Sequence, residues 1–385
     1  MRHILYRGDV VKKWLAFCLS LVLLFAFPVP VRAEDTPSVS AEAFVLYCVE
    51  SGEIILSKNE NKPMKPASTT KLMTVLLTLE EAATNDRLVT FTREMTAEGS
   101  SMYLKLGERV RLSDLAAGMM MVSGNDAANA AAIALDGSMA RFAERMNRRA
   151  AQIGMANTHF VTPSGLDDDR HYTTAHDMAL LMTEGLQNKD FAALTFQKSV
   201  GVAFAEPQGK QITYSNHNRL LRLYDDCIGG KTGYTTAAGR CLVSAARRGG
   251  VTLVCVTLND RNDWNDHIAL FDYGFAHRSA YQSGDGSLCL DIPCVGGEKD
   301  SVAVMGESDA SLIVPGGREA DVVRKIYIDS FVYAPVKKGD APGHIDYSLD
   351  GKLLKSVPLI AAEDVTRKRA KHGLWKRIKE LFTYG

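Results

Sequence analysis

Helical patterning is confined to the middle of this chain, and that segregation limits the fold more than any single motif does. Residues 43–49 and 53–57 flank a Ser51-Gly52 turn and predict a β-hairpin. Pro66 then ends extension, and 68–83 runs without Gly or Pro, with Leu72, Val75, Leu76 and Leu79 at helical spacing. Residues 112–134 are rich in Ala and Met and broken only at Ser123-Gly124-Asn125, which predicts two helices meeting at a tight corner. Further helices are predicted over 139–153 and 174–187. Around Lys231 the pattern reverts to strands: 240–246 and 251–258 read as successive antiparallel partners split by Gly249-Gly250, and a helix over 263–275 closes the unit. Strands first, helices next and strands last predict an α+β domain with helices against an antiparallel sheet. Beyond about Gln282 short apolar runs (301–305, 325–332, 345–349, 352–357) alternate with Gly-rich turns, and Asp350-Gly351 reads as a hairpin turn. That is the pattern of a small all-β domain.

The 385 residues have room for two or three domains, with an ordinary globular composition. At the N-terminus Arg2, Arg7, Lys12 and Lys13 precede an apolar run over 14–27 and a small-residue exit at Val31-Arg32-Ala33, the layout of a secretory signal peptide cut after Ala33. An uncleaved anchor is the alternative, although the run is short for a span. Either way the remainder is expected outside the cytoplasm, on the outer face of the cytoplasmic membrane. Without residues 1–33 the chain carries 40 Lys and Arg against 44 Asp and Glu, and seven of those cations fall in the last twenty residues. A body so acidic excludes nucleic-acid binding. Of the six cysteines left, several lie in apolar strand-like runs as buried thiols, and only Cys289 with Cys294 reads as a local disulfide candidate.

Three strings carry the chemistry: Ser68-Thr69-Thr70-Lys71, Ser123-Gly124-Asn125 and Lys231-Thr232-Gly233. A chain of this length holds roughly one S-x-x-K by accident, but only about 0.1 of each of the other two. If Ser68 opens a helix, Lys71 shares its face and can accept the serine proton, provided burial and a second cation lower the amine from its usual value near 10.4. Lys231 is that second cation. Ser123 can relay a proton between the lysines and a leaving amine, and Asn125 can hold a substrate amide or a lysine. Lys231, Thr232 and Gly233 at the start of an edge strand offer a cation, a hydroxyl and an open backbone for an extended peptide. The N–H groups of Ser68 and Tyr234 are then the natural oxyanion donors. The sum is a serine acyl-transferase with a lysine base and no cofactor.

The chain resembles the low-molecular-mass penicillin-binding proteins, serine-type D-alanyl-D-alanine carboxypeptidases of the S11 peptidase family. The likeness rests on the three strings in their contexts, residues 66–74 and 231–235, and on Thr162-Pro163-Ser164-Gly165-Leu166 followed by His171-Tyr172-Thr173-Thr174-Ala175. The second string departs from the family's S-D-N in having Gly124. The resemblance implies a penicillin-binding-protein or β-lactamase-like domain over 34–280 and a β-rich domain over 281–365. It further implies a Ser68 acyl-enzyme, Lys71 as proton acceptor, Ser123 and Asn125 serving the second motif, and Lys231 binding substrate carboxylate. Peptidoglycan stem peptides and β-lactam antibiotics are the implied partners. An arginine beyond the last sheet strands often assists that carboxylate in the family, and Arg261 is the candidate here.

Four other readings compete. A class A β-lactamase would use a deacylating glutamate, and Glu184-Gly185-Leu186-Gln187-Asn188 only superficially matches that motif; it reads as a solvated helix end. A zinc peptidase would need three spaced ligands, which His171, His176 and Asp177 do not supply, so no metal is expected. A silent peptidoglycan-binding protein and a D,D-endopeptidase complete the set.

In the tail, Leu374, Trp375, Ile378, Leu381 and Phe382 repeat at helical spacing among Arg367, Lys368, Arg369, Lys371, Lys376, Arg377 and Lys379. Residues 366–385 therefore predict an amphipathic helix lying on an anionic membrane surface without crossing it. A helix packed on the protein itself is the alternative.

Overall fold

The computed structural model describes residues 36–369. The expected signal peptide over 1–33 and the amphipathic repeat over 374–382 lie outside the described residues. The chain opens with the hairpin β1 (Ala43–Cys48) and β2 (Glu53–Lys58), followed by a 3-10 turn, Ala67–Thr70, that leads into α1 (Lys71–Asn85). A short ladder, β3 (Leu88–Thr90) with β4 (Arg109–Arg111), precedes α2 (Leu112–Val122), α3 (Asn125–Asp136), α4 (Met139–Ile153), α5 (Ala175–Gln187) and α6 (Lys189–Phe196). The hairpin β5 (Ser199–Ala203) and β6 (Gln211–Ser215) and the one-turn α7 (Leu220–Leu223) return the chain to β7 (Cys227–Thr235), β8 (Gly239–Arg248), β9 (Val251–Leu258) and α8 (Asp263–His277). The helices expected over 112–134 break at Ser123-Gly124 as the corner reading requires. The ladder, α6 and the β5–β6 hairpin were not legible, because three- to five-residue strands with mixed polarity carry no usable alternation.

The central sheet is antiparallel in the order β2-β1-β9-β8-β7, so the N-terminal hairpin and the late strands share one sheet with β7 at its edge. Alternation along each strand builds two cores. Val45, Val243 and Val256 face the helices α1 to α5, while Leu46, Leu242 and Leu253 face α8 through Leu270 and Phe271. Strands buried on both faces explain why β9 is buried throughout, Val251 to Leu258, and apolar but for Thr252 and Thr257 instead of alternating.

After α8 come β10 (Arg278–Gln282), β11 (Cys289–Val295), β12 (Ser301–Gly306), β13 (Ser311–Pro315), β14 (Val323–Ile328), β15 (Val332–Tyr333), β16 (Gly343–Leu349) and β17 (Lys352–Ala361). Six of them form a sheet in the order β14-β16-β17-β12-β11-β15 around a separate core with Ile345, Tyr347 and Leu359. Asp350 and Gly351 take positive φ of 50° and 77° and close the β16–β17 hairpin, as a left-handed two-residue turn must. The run over 325–332 is corrected from one strand to two. Asp329 donates its N–H to the Pro342 carbonyl, and the chain crosses from β14 on one edge of the sheet to β15 on the other. The Cys289–Cys294 disulfide is also corrected. Both are free thiols on β11, five residues apart on an extended strand, about 17 Å, beyond disulfide reach.

Candidate active site

Ser68 does not sit on the α-helix itself. It lies in the 3-10 turn before α1, entered through Ala67 in a left-handed conformation (φ 49°). Gly165 is pressed against that turn: a Cβ there would stand 1.9 Å from the Ala67 carbonyl oxygen, and its φ is 82°. Only a residue without a side chain lets segment 162–166 pack this closely on the turn that carries the nucleophile.

Lys71 opens α1 with its side chain completely buried, and its Nζ meets three oxygens: Ser68 Oγ at 2.9 Å, Asn125 Oδ1 at 2.6 Å and the Ser164 carbonyl at 2.7 Å. The Asn125 amide nitrogen donates to the Glu98 carbonyl, which turns Oδ1 toward the lysine. Two of the three partners are obligate acceptors. A neutral amine has two N–H donors for them and one lone pair left, and that lone pair faces the Ser68 hydroxyl. Burial holds the Lys71 pKa well below the usual lysine value, and the charge of Lys231 lowers it further.

Ser123 occupies the junction of α2 and α3 in a left-handed conformation, φ 59°, ψ 30°. Lys231 Nζ, on β7, donates to Ser123 Oγ at 3.0 Å and to the Thr232 carbonyl at 2.8 Å. Burial alone lowers Lys231 to about 7. Gly124, the departure in the second string, has a local cause: a Cβ would lie 2.9 Å from Asp126 Oδ1 and 3.0 Å from the Met102 nitrogen. Asp126 in turn accepts from the N–H groups of Met102 and Leu104 and from Ser101 Oγ, which fixes the loop above the corner. Gly233 plays a different part from the one expected. Its Cβ position is closed by the protein's own first-motif turn, 3.0 Å from the Pro66 oxygen and the Thr69 nitrogen, so glycine lets the sheet edge dock on the nucleophile.

A cleft of about 320 Å³ runs between the sheet edge and the helical corner, lined by Ser68, Ser100, Ser123, His217, Thr232, Gly233, Tyr234, Arg240, Asp263 and Trp264. Eight of the nine residues anticipated from sequence thus gather at the cleft: Ser68, Ser123, Thr232, Gly233 and Tyr234 line it, Lys71 and Lys231 bond Ser68 and Ser123, and Asn125 bonds Lys71. Tyr234 joins the lining with its ring two-thirds exposed. Arg261 is an exposed residue outside that lining. The arginine that does line it is Arg240, which β-pairing sets opposite Tyr234. Asp263 grips it through Nε and Nη2 at 3.1 and 2.7 Å, and the Trp264 ring lies beside it at 5.8 Å. The third motif followed by Gly239-Arg240 across a short turn was the signal for this residue.

Two supports were also missed. Ser164 acts through its backbone carbonyl, and its segment is bolted to α1 by Thr74 Oγ1 donating to the Pro163 oxygen at 2.6 Å. His171 is buried, with burial pushing it down to about 4, and is therefore neutral. Its Nδ1 accepts from the N–H groups of Val161 and Thr162, leaving Nε2–H to donate to Thr70 Oγ1 at 3.0 Å. Asp177 is likewise engaged, by the Asn157 N–H and by Thr158. Among the described residues no group of three His, Cys, Asp or Glu side chains is placed to hold a metal. Glu184 is not simply solvated: Arg149 reaches it at 2.6 Å and Glu80 at 2.9 Å.

With that geometry described, the comparisons with known proteins agree on a class. The profile of the D-alanyl-D-alanine carboxypeptidases, peptidase family S11, matches residues 30–262, and that of the penicillin-binding protein 5 C-terminal domain matches residues 275–367. The chain belongs to the D-alanyl-D-alanine carboxypeptidase family and is an enzyme of that serine-type class. It is 31% identical over 403 residues to D-alanyl-D-alanine carboxypeptidase DacA of Haemophilus influenzae, covering 96% of this chain and 98% of that one. The solved penicillin-binding protein 5 of Haemophilus influenzae superposes with a TM-score of 0.69 at 29% identity, over 86% of this chain and 99% of its own. A shorter solved D-alanyl-D-alanine carboxypeptidase, from Mycobacterium tuberculosis, matches at 32% identity and a TM-score of 0.60, covering 65% of this chain and 96% of its own.

Proposed function

We propose that Ser68 is the nucleophile and Lys71 its general base, acting on stem peptides of peptidoglycan that end in D-Ala-D-Ala. The observation that carries this is the place of Lys71 Nζ, 2.9 Å from Ser68 Oγ and held by two acceptors, Asn125 Oδ1 at 2.6 Å and the Ser164 carbonyl at 2.7 Å. As Ser68 Oγ bonds to the scissile carbonyl carbon, its proton passes to Lys71 Nζ, and the oxyanion develops between the N–H groups of Ser68 and Tyr234. The C–N bond then breaks, and Ser123, bridged to Lys231, gives its hydroxyl proton to the departing D-alanine amine and takes in its place the proton held by Lys71, which returns Lys71 to the neutral amine. Water, activated by the restored Lys71 amine, hydrolyses the ester. A β-lactam follows the first half of this path and stays attached, because its ring-opened product keeps the leaving group in the cleft.

Lys231, Thr232 and Arg240 receive the terminal carboxylate, with Arg240 in the place first given to Arg261. Asp263 and Trp264 hold the guanidinium at the cleft wall, where its remaining N–H donors can fork onto a carboxylate. In Arg240→Ala, KM for a D-Ala-D-Ala peptide is expected to rise at least tenfold with kcat little changed; an unchanged KM there, with a raised one in Arg261→Ala, returns the role to Arg261.

The enzyme works outside the cytoplasm, delivered by residues 1–33 and held on the membrane surface by residues 366–385. No helix among the described residues is long and apolar enough to cross a membrane. Fluorescent penicillin is the direct test of the reading as a whole. A stable label that disappears in Ser68→Ala, together with D-alanine release from the peptide, is the expected result. Label without release identifies an endopeptidase or transpeptidase, rapid loss of label identifies a β-lactamase, and absence of label removes the Ser68 mechanism.

A further inference from the structure

The β-rich domain has two ends with different surroundings. At one, Arg318 holds Asp350 of the β16–β17 turn through both guanidinium nitrogens, at 2.7 and 2.8 Å, and Gly316 donates to the His277 carbonyl where α8 ends. That end adjoins the catalytic domain. At the other, the chain crosses from β14 to β15 and leaves the sheet exposed aromatic: Tyr333 is 69% exposed, Phe331 46%, and their rings meet edge to face at 5.3 Å. Val295, paired with Tyr333, is 47% exposed. Single exposed apolar side chains are unremarkable, but adjoining ones on a rim mark a contact surface.

The same end is where the described chain leaves the domain. Val365 pairs with Val336, Arg367 Nε donates to the Ala334 oxygen at 2.7 Å, and the Lys368 N–H to the Gly296 oxygen at 2.8 Å. Arg367 and Lys368 therefore flank Val295 and Tyr333. From Arg369 to Leu374, the first apolar residue of the tail repeat, five residues reach at most about 17 Å. Wherever that repeat enters an interface, Arg369, where the described chain leaves the aromatic end, is tethered within the same distance of it. The acids and bases of the rim cancel, as in the Lys299–Glu363 and Lys368–Asp300 pairs and with Asp340 and Asp364 set against Lys337 and Lys338, so attraction to anionic lipid comes from the tail. Rings with one wet edge are the side chains that favour the headgroup layer.

We propose that Phe331, Tyr333 and Val295 form a membrane-contacting foot, a second point of attachment to an anionic bilayer beside the tail. This rests on the reading of residues 366–385 as a membrane-surface helix. With a foot as well as a tether, the β-domain stands on the bilayer, and the length of β17, roughly 30 Å, separates the lipid from the catalytic domain. A single tether would leave that spacing unset.

The test is co-sedimentation of the full mature chain with vesicles of phosphatidylglycerol and phosphatidylethanolamine, comparing the parent with Phe331→Ser/Tyr333→Ser. The double variant is expected to partition about tenfold more weakly while its penicillin acylation rate and melting temperature stay at parental values. Equal partitioning overturns the foot. Stronger partitioning also overturns it, by showing that the rings had been holding the tail, and so does unchanged vesicle binding with lost binding to purified peptidoglycan, which assigns the rings to glycan. A chain cut after Arg369 separates the two readings. If it binds vesicles like the full chain the tail reading fails, whereas the foot is judged by the double variant alone.

Discussion

Two lysines whose hydrogen-bond partners are all neutral are costly to place inside a protein. Lys231 is 2% exposed and held at about 7, against about 10.5 in the unfolded chain. Between those values the unfolded state binds the extra proton, so stability rises as pH is raised from 7 toward 10.5. The handicap at pH 7 is on the order of 4 kcal/mol, and Lys71 adds to it in the same direction. Lys231→Met is therefore expected to lose penicillin acylation yet melt several degrees higher than the parent at pH 7, with the gap closing as pH approaches 10. Calorimetric scans from pH 6 to 10 check this; a variant less stable at every pH would mean that the bonds to Ser123 and Thr232 outweigh the desolvation of the amine. The cost also explains what was legible at this scale. Serine, lysine and asparagine in short fixed strings stand out because a fold has no structural use for them buried. A backbone carbonyl such as that of Ser164 leaves no such trace, and Arg240 leaves only its place across a short turn from the third motif, whose meaning depends on the turn length.

At the scale of elements, the site is a junction of three supports, and the segment 162–166 is the least tolerant of them. Its carbonyls bind Lys71 and Thr74, and Gly165 sits where only hydrogen fits, against Ala67 and Thr70. Gly165→Ala combines a disfavoured φ with a 1.9 Å clash and is expected to cost about 2–4 kcal/mol. Because the strain is relieved by moving the nucleophile turn, acylation by penicillin should slow at least tenfold in the fraction that remains folded, measured by stopped-flow quenching. A parental rate in Gly165→Ala would show that the turn is held by α1 alone. His171 secures the same segment from its far side. As its pKa is lowered to about 4, the unfolded state takes up its proton first when pH falls below 6.5, and that part of the stability declines until about pH 4. The helical corner and the sheet edge were readable because long periodic elements end there. The path of 162–173 was not, since it is irregular backbone whose form is set by contacts more than 80 residues away, such as Thr74 with Pro163.

For the whole molecule, the question is how far catalysis depends on the β-rich domain. The site draws every described contact from residues between Pro66 and Trp264, and the shorter mycobacterial structure, matched over 96% of its own length, covers 65% of this chain. The two parts nonetheless share a seam: Ala280 and Ile313 pack against the core beneath α8, and Arg278 reaches Glu53 at 3.6 Å. Cutting the chain after His277 would uncover that seam, a few apolar side chains worth about 1–3 kcal/mol in all. Distant sites with no shared partners contribute independently. A chain of residues 34–277 is therefore expected to melt several degrees lower but to acylate with penicillin at a rate within about twofold of the parent, and to remain entirely in the supernatant with vesicles. A rate that falls tenfold in this shortened chain while its melt stays cooperative would mean that the β-domain shapes the cleft through α8, where Asp263 and Trp264 hold Arg240. Arg240→Ala made in both backgrounds would then lose its effect in the shortened one.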